Sequence, residues 1–165
     1  HHTRAELKPL IDRDGFHATL REGSEAPQTA PARLRYAFDE FLRVLGLLPV
    51  AMGREEYLNG VTGVFHLRNL LIDLMIEETA AAHRGGALHL NRLITAEQKA
   101  ALAALPVPGP ERDALIAAHL AYAEEYLPRA RGLAESRGVD WPERFEAATW
   151  DYLGETLGIA RPEAA

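Results

Sequence analysis

The stretch that decides the fold is Pro31-Ala-Arg-Leu-Arg-Tyr-Ala-Phe-Asp-Glu-Phe-Leu-Arg-Val-Leu-Gly-Leu-Leu48. Its apolar residues recur at the spacing of one helix face, and it begins with a proline, which suits the first turn of a helix. The apolar positions are Leu34, Phe38, Phe41, Leu42, Leu45 and Leu48. The stretch therefore predicts an amphipathic helix, which Pro49 should kink or end.

A second long helix is predicted from near Arg54 to about His83, where Gly85-Gly86 would end it. It is apolar on more than one side, which indicates burial against several neighbours. Gly60 and Gly63 within it each lower helix propensity by about 1 kcal/mol relative to alanine. We expect them to allow either close packing of another helix or close approach of a ligand.

Three further helices are predicted from their start and stop signals. Their starts are the capping box Thr95-Ala-Glu-Gln98, Pro110 and the N-cap Asp140, and their ends are about Leu105, Gly138 and Gly158. Pro128 should bend the middle helix. Residues 31–165 are therefore predicted to form a mainly α fold, a bundle of about five to six helices.

The first 30 residues predict a lead-in to this bundle. The capping-box pattern Thr3-Arg-Ala-Glu6 predicts a short helix to about Arg13. Phe16-His-Ala-Thr-Leu20 alternates as a short strand does, and residues 21–31 have the composition of a loop. A lone strand is an edge without a partner, so it either pairs with another part of this chain or has lost its sheet, and we expect it to favour association, as in a homodimer.

Composition narrows the function classes. The length of 165 residues fits one ordinary domain, and 47% hydrophobic with 25% charged residues is typical of a globular protein. A net charge of −6 argues against a nucleic-acid partner, and the absence of cysteine excludes thiolate catalysis and cysteine-bound zinc. No apolar run reaches the roughly 18 residues of a membrane span, so we expect a cytoplasmic protein without a membrane partner.

Two groups of charged residues stand out against this apolar background. Asp39 and Glu40 lie on the first predicted helix, and Arg54, Glu55 and Glu56 follow about four turns later. Because burying a carboxylate costs several kcal/mol without compensation, these acids either pair internally or face a cationic substrate.

Specific residues support a purely structural role for these acids. Internal partners for Glu40 would be Arg43, Arg54 or Arg68, holding two helices together. Consecutive acids such as Glu55 and Glu56 also favour a helix N-terminus through its dipole.

Two histidines raise the alternative of a metal-dependent helical-bundle enzyme. His66 and His119 lie on helices that could face each other, and with a carboxylate they could bind zinc or iron. No two histidines have the spacing that makes one helix offer two ligands, so no metal site is predicted and a core histidine is the competing interpretation. Similarly, four aromatic residues either wall a ligand pocket or pack in the core, namely Tyr122, Tyr126, Trp141 and Trp150.

Several short matches occur in a definite order along the chain. They are Leu10-Ile-Asp-Arg-Asp-Gly-Phe16 with Leu20, Phe38-Asp-Glu-Phe41, Gly53-Arg-Glu-Glu56, Leu127-Pro-Arg-Ala-Arg131 and Trp141-Pro-Glu-Arg-Phe145. In this order the chain resembles aminoglycoside nucleotidyltransferases of the streptomycin-adenylyltransferase type and the related lincosamide enzymes. It departs from the family at Asp39, where the pattern has Asn, and at Leu42, where it has Trp.

The catalytic signature of that family is missing from this sequence. The signature is a Gly-Ser turn followed by a strand with two Asp residues, which hold magnesium and the nucleotide triphosphate. Gly23-Ser24 is followed by no such strand, and the Asp12–Asp14 pair precedes it and ends in a turn. The resemblance therefore implies the C-terminal, substrate-side helical domain, with the nucleotide-binding half outside this chain or lost.

The resemblance also implies a function. Such a domain would help to transfer a nucleotide from ATP to a hydroxyl of a small molecule such as an aminoglycoside, as in antibiotic resistance. Glu40 would be the catalytic base, and Asp39, Arg54, Glu55 and Glu56 would contact a cationic substrate. Magnesium and ATP would belong to the catalytic half, so this chain by itself would hold no cofactor. The alternative is a non-catalytic helical ligand-binding or dimerisation module.

Overall fold

A computed structural model of the chain describes residues 4, 7–20, 22, 29–81 and 89–162. These residues form eight helical segments and no strand, which confirms the mainly α bundle. The segments are α1 (Phe16–Thr19), α2 (Pro31–Gly46), α3 (Leu48–Gly53), α4 (Tyr57–Thr79), α5 (Leu90–Leu93), α6 (Ala96–Ala104), α7 (Arg112–Arg137) and α8 (Glu143–Leu157). Within this part of the chain, no helix combines the length and apolarity that a membrane crossing needs.

Helix α2 forms as its apolar spacing predicts. It buries the predicted stripe against α4, α7 and α8, and the ring of Phe41 stacks on that of Tyr126 with centroids 3.7 Å apart. Helix α2 ends at Gly46, and Pro49 lies in the first turn of α3, where its missing N–H costs nothing. Pro49 therefore marks the break between the two helices.

Helices α4 and α7 form the most extensive contact of the bundle, and two glycines permit it. A Cβ atom on Gly60 would lie 3.0 Å from Cδ1 of Leu115, and one on Gly63 would lie 3.2 Å from Nε2 of His119. Both distances are shorter than an ordinary carbon contact. The glycines therefore serve close helix packing, which is the first of the two roles expected for them.

Helix α4 is shorter at both ends than predicted. Residues 54–56 form a turn before it, and Ala80 ends it in the left-handed conformation, with φ of 48°. The predicted stop at Gly85-Gly86 lies outside the described residues. The capping box of α6 is confirmed, because Thr95 and Gln98 each accept a hydrogen bond from the other's backbone amide.

Helix α7 runs through Pro128 and stops at Gly138, whose φ of 62° suits glycine. The predicted N-cap of α8 at Asp140 is wrong. The helix begins two residues later, after Pro142, and no side chain caps it. Gly158 ends α8 as predicted, with φ of 68°.

The predicted strand over residues 16–20 is wrong, because Phe16–Thr19 form one helical turn, α1. Asp12 explains the difference, since its carboxylate accepts the backbone N–H groups of Phe16 at 2.7 Å and His17 at 3.0 Å. These bonds satisfy amides at a helix start and favour the turn over an extended chain. Residues 7–13 are not helical, so the helix predicted up to Arg13 is also wrong there. The homodimer stays a prediction, but the unpaired edge strand that was the reason to expect it is not present in residues 16–20.

Candidate functional site

Glu40, the predicted catalytic base, is held by an ion pair with Arg43 and a contact with His66. Its Oε2 and Oε1 accept hydrogen bonds from Arg43 at 2.6 and 2.7 Å, and Nε2 of His66 on α4 lies 3.2 Å from Oε1. The hydrogen bond from Arg43 is the main cause that lowers the pKa of Glu40. A lowered pKa makes a carboxylate a weaker base, so this geometry favours the pairing interpretation. The pairing joins α2 to α4 through His66.

Asp39 is paired in a similar way within α2. Nε of Arg35 lies 3.0 and 3.2 Å from the two carboxylate oxygens of Asp39, four residues further along the helix. Arg35 also donates to the backbone carbonyl of Asp140 at 3.2 Å, which connects α2 to the segment before α8. Asp39 therefore stabilises a contact within the fold, and its role in binding substrate stays a prediction.

Arg54, Glu55 and Glu56 lie on an exposed turn between α3 and α4. Backbone hydrogen bonds shape the turn: the amide of Glu56 donates to Ala51 and the amide of Tyr57 to Glu55, both at 2.9 Å. In the described part of the chain, no hydrogen bond or ion pair joins these three side chains to Asp39 or Glu40. The structure therefore does not combine the two charged groups into one site by direct contact, and the role of the turn in binding stays a prediction.

His119 is a core residue. It is 2% exposed, its Nδ1 lies 2.8 Å from the carbonyl oxygen of Leu115, and burial lowers its pKa. Its Nε2 faces Gly63, as described above. Among the described residues, no group of three or more His, Asp and Glu side chains is arranged to hold a metal ion. The geometry of His119 supports the core-histidine interpretation.

A cavity of about 530 Å³ lies between α2 and α4, and α5 and α7 also contribute lining residues. Its volume is within the range of small-molecule sites, roughly 300–1,000 Å³. We call it the α2–α4 cavity. Its described lining consists of Thr29, Arg33, Leu34, Ala37, Phe38, Asn69, Leu70, Ile72, Asp73, Leu74, Ile76, Glu77, Leu90, Leu93 and Tyr126.

One wall of the α2–α4 cavity is a polar stripe on α4. Asn69, Asp73 and Glu77 follow one another at intervals of four residues, which places them on one helix face. Glu77 is 7% exposed and its Oε1 accepts the hydroxyl of Thr29. The opposite charge in the lining is Arg33 of α2.

The facing wall is apolar and aromatic. Leu34 and Phe38 of α2 line it together with Tyr126 of α7, whose hydroxyl donates to the carbonyl oxygen of Ala37 at 3.3 Å. Burial raises the pKa of Tyr126, and the negative charge of Asp73 raises it further. Tyr126 therefore has both of the roles expected for it: it packs on Phe41 in the core, and it forms part of the cavity wall.

The other three aromatic residues pack in the fold. The hydroxyl of Tyr122 accepts a hydrogen bond from Arg68 at 2.9 Å, and the ring of Trp141 lies 5.2 Å from that of Phe38. Trp150 is 4% exposed. None of these three belongs to the described lining of the α2–α4 cavity. Tyr122 borders a cavity of only about 10 Å³, whereas Trp150 packs in the core and also borders a cavity of about 420 Å³ beside α8.

A separate carboxylate, Glu146 of α8, is enclosed by donors. Arg131 of α7 donates to it, as do Nη2 of Arg161 at 3.1 Å and the indole Nε1 of Trp141 at 2.8 Å. Burial would raise the pKa of Glu146, but these hydrogen bonds and the charges of both arginines together lower it. Glu146 therefore joins α7, α8 and the segment after α8.

No family model, no curated protein and no solved structure matches this chain.

Proposed function

We propose that the chain is the substrate-binding helical domain of a nucleotidyltransferase-like protein, which transfers a nucleotide from ATP to a hydroxyl of a small molecule such as an aminoglycoside. The observation that carries the proposal is the α2–α4 cavity, which has the volume of a small-molecule site and both polar and apolar walls. Helix α2 supplies one of these walls and also bears Phe38-Asp-Glu-Phe41, the motif that resembles the family.

The proposal assigns to this chain the task of holding and orienting the acceptor. Nucleotide transfer needs metal-bound carboxylates that neutralise the triphosphate, a base for the acceptor hydroxyl, and in-line departure of pyrophosphate. The metal and ATP belong to a catalytic half with paired Asp residues, and the reaction takes place in the cytoplasm, where ATP is available. Orientation of the hydroxyl contributes to the rate because it removes the entropy cost of bringing the reactants together.

Within the proposal, the lining of the α2–α4 cavity replaces the acids of α2 as the main substrate contact. The two charged groups, Asp39–Glu40 and Arg54–Glu56, lie outside the described cavity lining, and Glu40 already binds Arg43. The role of Glu40 as the base stays a prediction, which a Glu40→Gln variant tests in the assembled enzyme.

Calorimetric titration of the purified chain with streptomycin tests the binding half of the proposal. We expect saturable binding that Ala37→Phe removes, because the larger side chain fills the cavity, whereas Ala148→Phe on the exposed face of α8 leaves it unchanged. Magnesium–ATP is expected not to bind to this chain. Failure of streptomycin and of other hydroxylated antibiotics to bind would contradict the proposal.

A second candidate is a helical ligand-binding module without catalysis. It is favoured by the sequence itself, in which no strand with paired Asp residues follows Gly23-Ser24. The two candidates differ in the coding sequence upstream of His1, where nucleotide transfer requires a Gly-Ser turn and a strand with two Asp residues. A transfer assay on the complete gene product, with radiolabelled ATP and streptomycin, separates them directly.

A further inference from the structure

We propose that the chain forms a homodimer in which an apolar surface on α4 of each copy binds the lead-in segment of the other copy. The α4 surface consists of Leu58, Phe65 and Val107, the last from the segment between α6 and α7. The lead-in surface consists of Leu10, Ile11 and Phe16. The inference does not rest on the proposed function, because it concerns the association of two chains and not the binding of a small molecule.

Exposed large apolar side chains concentrate on these two surfaces. Seven such side chains in the described part of the chain are at least half exposed, and six of them belong to one surface or the other. Leu10 is 91% exposed and Leu58 is 77% exposed. Single apolar residues are common on protein surfaces, whereas groups of them mark sites of association. Both surfaces therefore have the composition of contact sites.

The three residues of the α4 surface are neighbours. Phe65 and Val107 border the same small cavity, between α4 and the proline-rich segment 106–108. Leu58 precedes Phe65 by about two helical turns, so it lies on the same face of α4. The cavity measures only about 10 Å³, far below the roughly 300 Å³ of the smallest ordinary small-molecule sites. The surface therefore fits a docked protein segment better than an enclosed ligand.

Arg68 gives the α4 surface a positive charge. It borders the same small cavity, and its Nη1 donates to the hydroxyl of Tyr122 at 2.9 Å and to the carbonyl oxygen of Leu102 at 3.2 Å. Both acceptors are neutral, and no carboxylate of the described residues pairs with Arg68. Among those residues, the buried side-chain nitrogen and oxygen atoms without a partner are limited to Nε1 of Trp150, so the unused Nε and Nη2 of Arg68 are open to solvent. Two adjacent N–H donors of a guanidinium group match the two oxygens of a carboxylate.

The lead-in surface offers a carboxylate that its own chain does not use. Asp12 accepts two backbone N–H groups, as described above, whereas Asp14 is exposed and has no hydrogen bond or ion pair within the described residues. With Arg13 between the two acids, residues 10–16 carry a net charge of −1. An ion pair between Asp14 of one copy and Arg68 of the other therefore gives each group the partner that it lacks.

Charge favours contact between unlike surfaces. Two α4 surfaces in contact would bring two Arg68 side chains together, and two lead-in surfaces would bring together segments of equal net charge, so both arrangements are repulsive. Unlike surfaces on one chain either pair reciprocally in a closed dimer or build open chains. A stable interface buries about 800 Å² on each partner. This requirement favours the closed dimer, because it uses both surfaces of each copy.

Sedimentation equilibrium over a range of protein concentrations measures the association. We expect the wild type to dimerise, and Val107→Asp or Leu10→Asp to weaken dimerisation by about a hundredfold. Each substitution occurs twice in a reciprocal dimer, and the loss of one buried aliphatic side chain accounts for about tenfold. Tyr36→Asp is the matched control, since Tyr36 is 66% exposed but belongs to neither surface. It should leave dimerisation unchanged, and circular dichroism should show that all three variants fold.

Mixing two variants shows which surfaces meet. Val107→Asp alone and Leu10→Asp alone each have both contacts damaged, whereas their equimolar mixture forms a dimer with one intact contact. Because the two substitutions then share the other contact, their effects are less than additive, and we expect the mixture to dimerise about tenfold more tightly than either variant. A monomeric wild type, or a mixture no tighter than the separate variants, would overturn the inference. A mass that continued to grow with concentration would also overturn it, because the contact would then build open chains.

The charge contribution has its own test. Asp14→Asn should weaken dimerisation about fivefold and reduce its dependence on salt, as expected for an exposed ion pair that occurs twice. Asp151→Asn, the same change at an exposed position of α8, should alter neither. Equal effects of the two variants would overturn the pairing of Asp14 with Arg68.

Discussion

Glu146 on α8 and Asp73 on α4 are carboxylates of long helices in the same bundle, but they differ in exposure. Glu146 is 2% exposed and accepts hydrogen bonds from Arg131, Trp141 and Arg161. Asp73 is exposed and lies on the wall of a cavity of about 530 Å³. The first carboxylate is enclosed by donors of its own chain, and the second is exposed at the wall of a cavity.

This difference shows how one chemical group supports either stability or recognition. A carboxylate that is surrounded by arginines and an indole offers nothing to a ligand, and its removal leaves buried donors without an acceptor. A carboxylate beside a cavity contributes little to packing but determines the potential that a ligand meets. Glu40 resembles Glu146, because groups of its own chain, Arg43 and His66, lie at its carboxylate oxygens.

The largest expected effect is on stability, at the enclosed carboxylate. Glu146→Ala should lower the free energy of unfolding by about 2 kcal/mol, below the usual cost of breaking a buried ion pair because both arginines are partly exposed. Glu155→Ala on the exposed face of α8 is the control and should change it by less than about 0.5 kcal/mol. Urea denaturation followed by circular dichroism measures both. Equal effects of the two variants would remove the distinction between enclosed and exposed acids.

The pH dependence of the same contribution gives the next test. Because the pKa of Glu146 is lower in the folded state than in the unfolded chain, its stabilising contribution is present at neutral pH. The contribution is lost as the pH falls below the ordinary pKa of glutamate and through the lowered one. The difference in unfolding free energy between the wild type and Glu146→Gln should therefore shrink on acidification, in denaturation curves recorded from pH 7 downwards. A difference that grew would contradict the assigned ion pairs.

A smaller effect is expected at Glu40, where stability and binding should separate. Glu40→Gln should lower the free energy of unfolding by about 0.5 kcal/mol, since the side chains of Arg43 and His66 are half exposed. It should leave the binding of streptomycin unchanged, because Glu40 lies outside the described cavity lining. If Glu40→Gln instead removed streptomycin binding, the ligand site would lie on the acids predicted from the sequence.

The parts of this fold that the sequence predicts correctly depend on residues that are close together in the sequence. The stripe of α2, the capping box at Thr95 and the stop at Gly138 each depend on residues a few positions apart. Gly60 and Gly63 could be expected to permit a close approach, although the pattern could not say that Leu115 and His119 would make it. The strand predicted at residues 16–20 is wrong, because five alternating residues do not reveal that Asp12 caps a helical turn there.

The sequence does not predict the α2–α4 cavity, because its walls come from different helices. Hydrophobic periodicity shows which face of a helix is buried but not which helices pack against each other. The apolar spacing predicts Leu34 and Phe38 as core positions, and Tyr126 as either a core residue or a pocket wall. The available signal was on α4, where Asn69, Asp73 and Glu77 repeat at intervals of four in a helix that is otherwise apolar on several sides. Such a polar stripe on a buried helix indicates either solvent or a cavity.

The smallest expected effect concerns the turn between α3 and α4. Glu55 has a φ of 56°, a backbone conformation that costs residues other than glycine about 1 kcal/mol. Glu55→Gly relieves this strain, but it also raises the conformational entropy of the unfolded chain, which lowers stability. The net change in unfolding free energy should therefore be within about 0.5 kcal/mol of zero. Glu56→Gly is the control; it should be less stable than Glu55→Gly, because Glu56 has φ of −80° and glycine there relieves no strain. Thermal unfolding compares the two variants, and calorimetry with streptomycin should show the same affinity for both, because this turn lies outside the described cavity lining. A loss of streptomycin binding in Glu55→Gly would instead make the turn part of the ligand site.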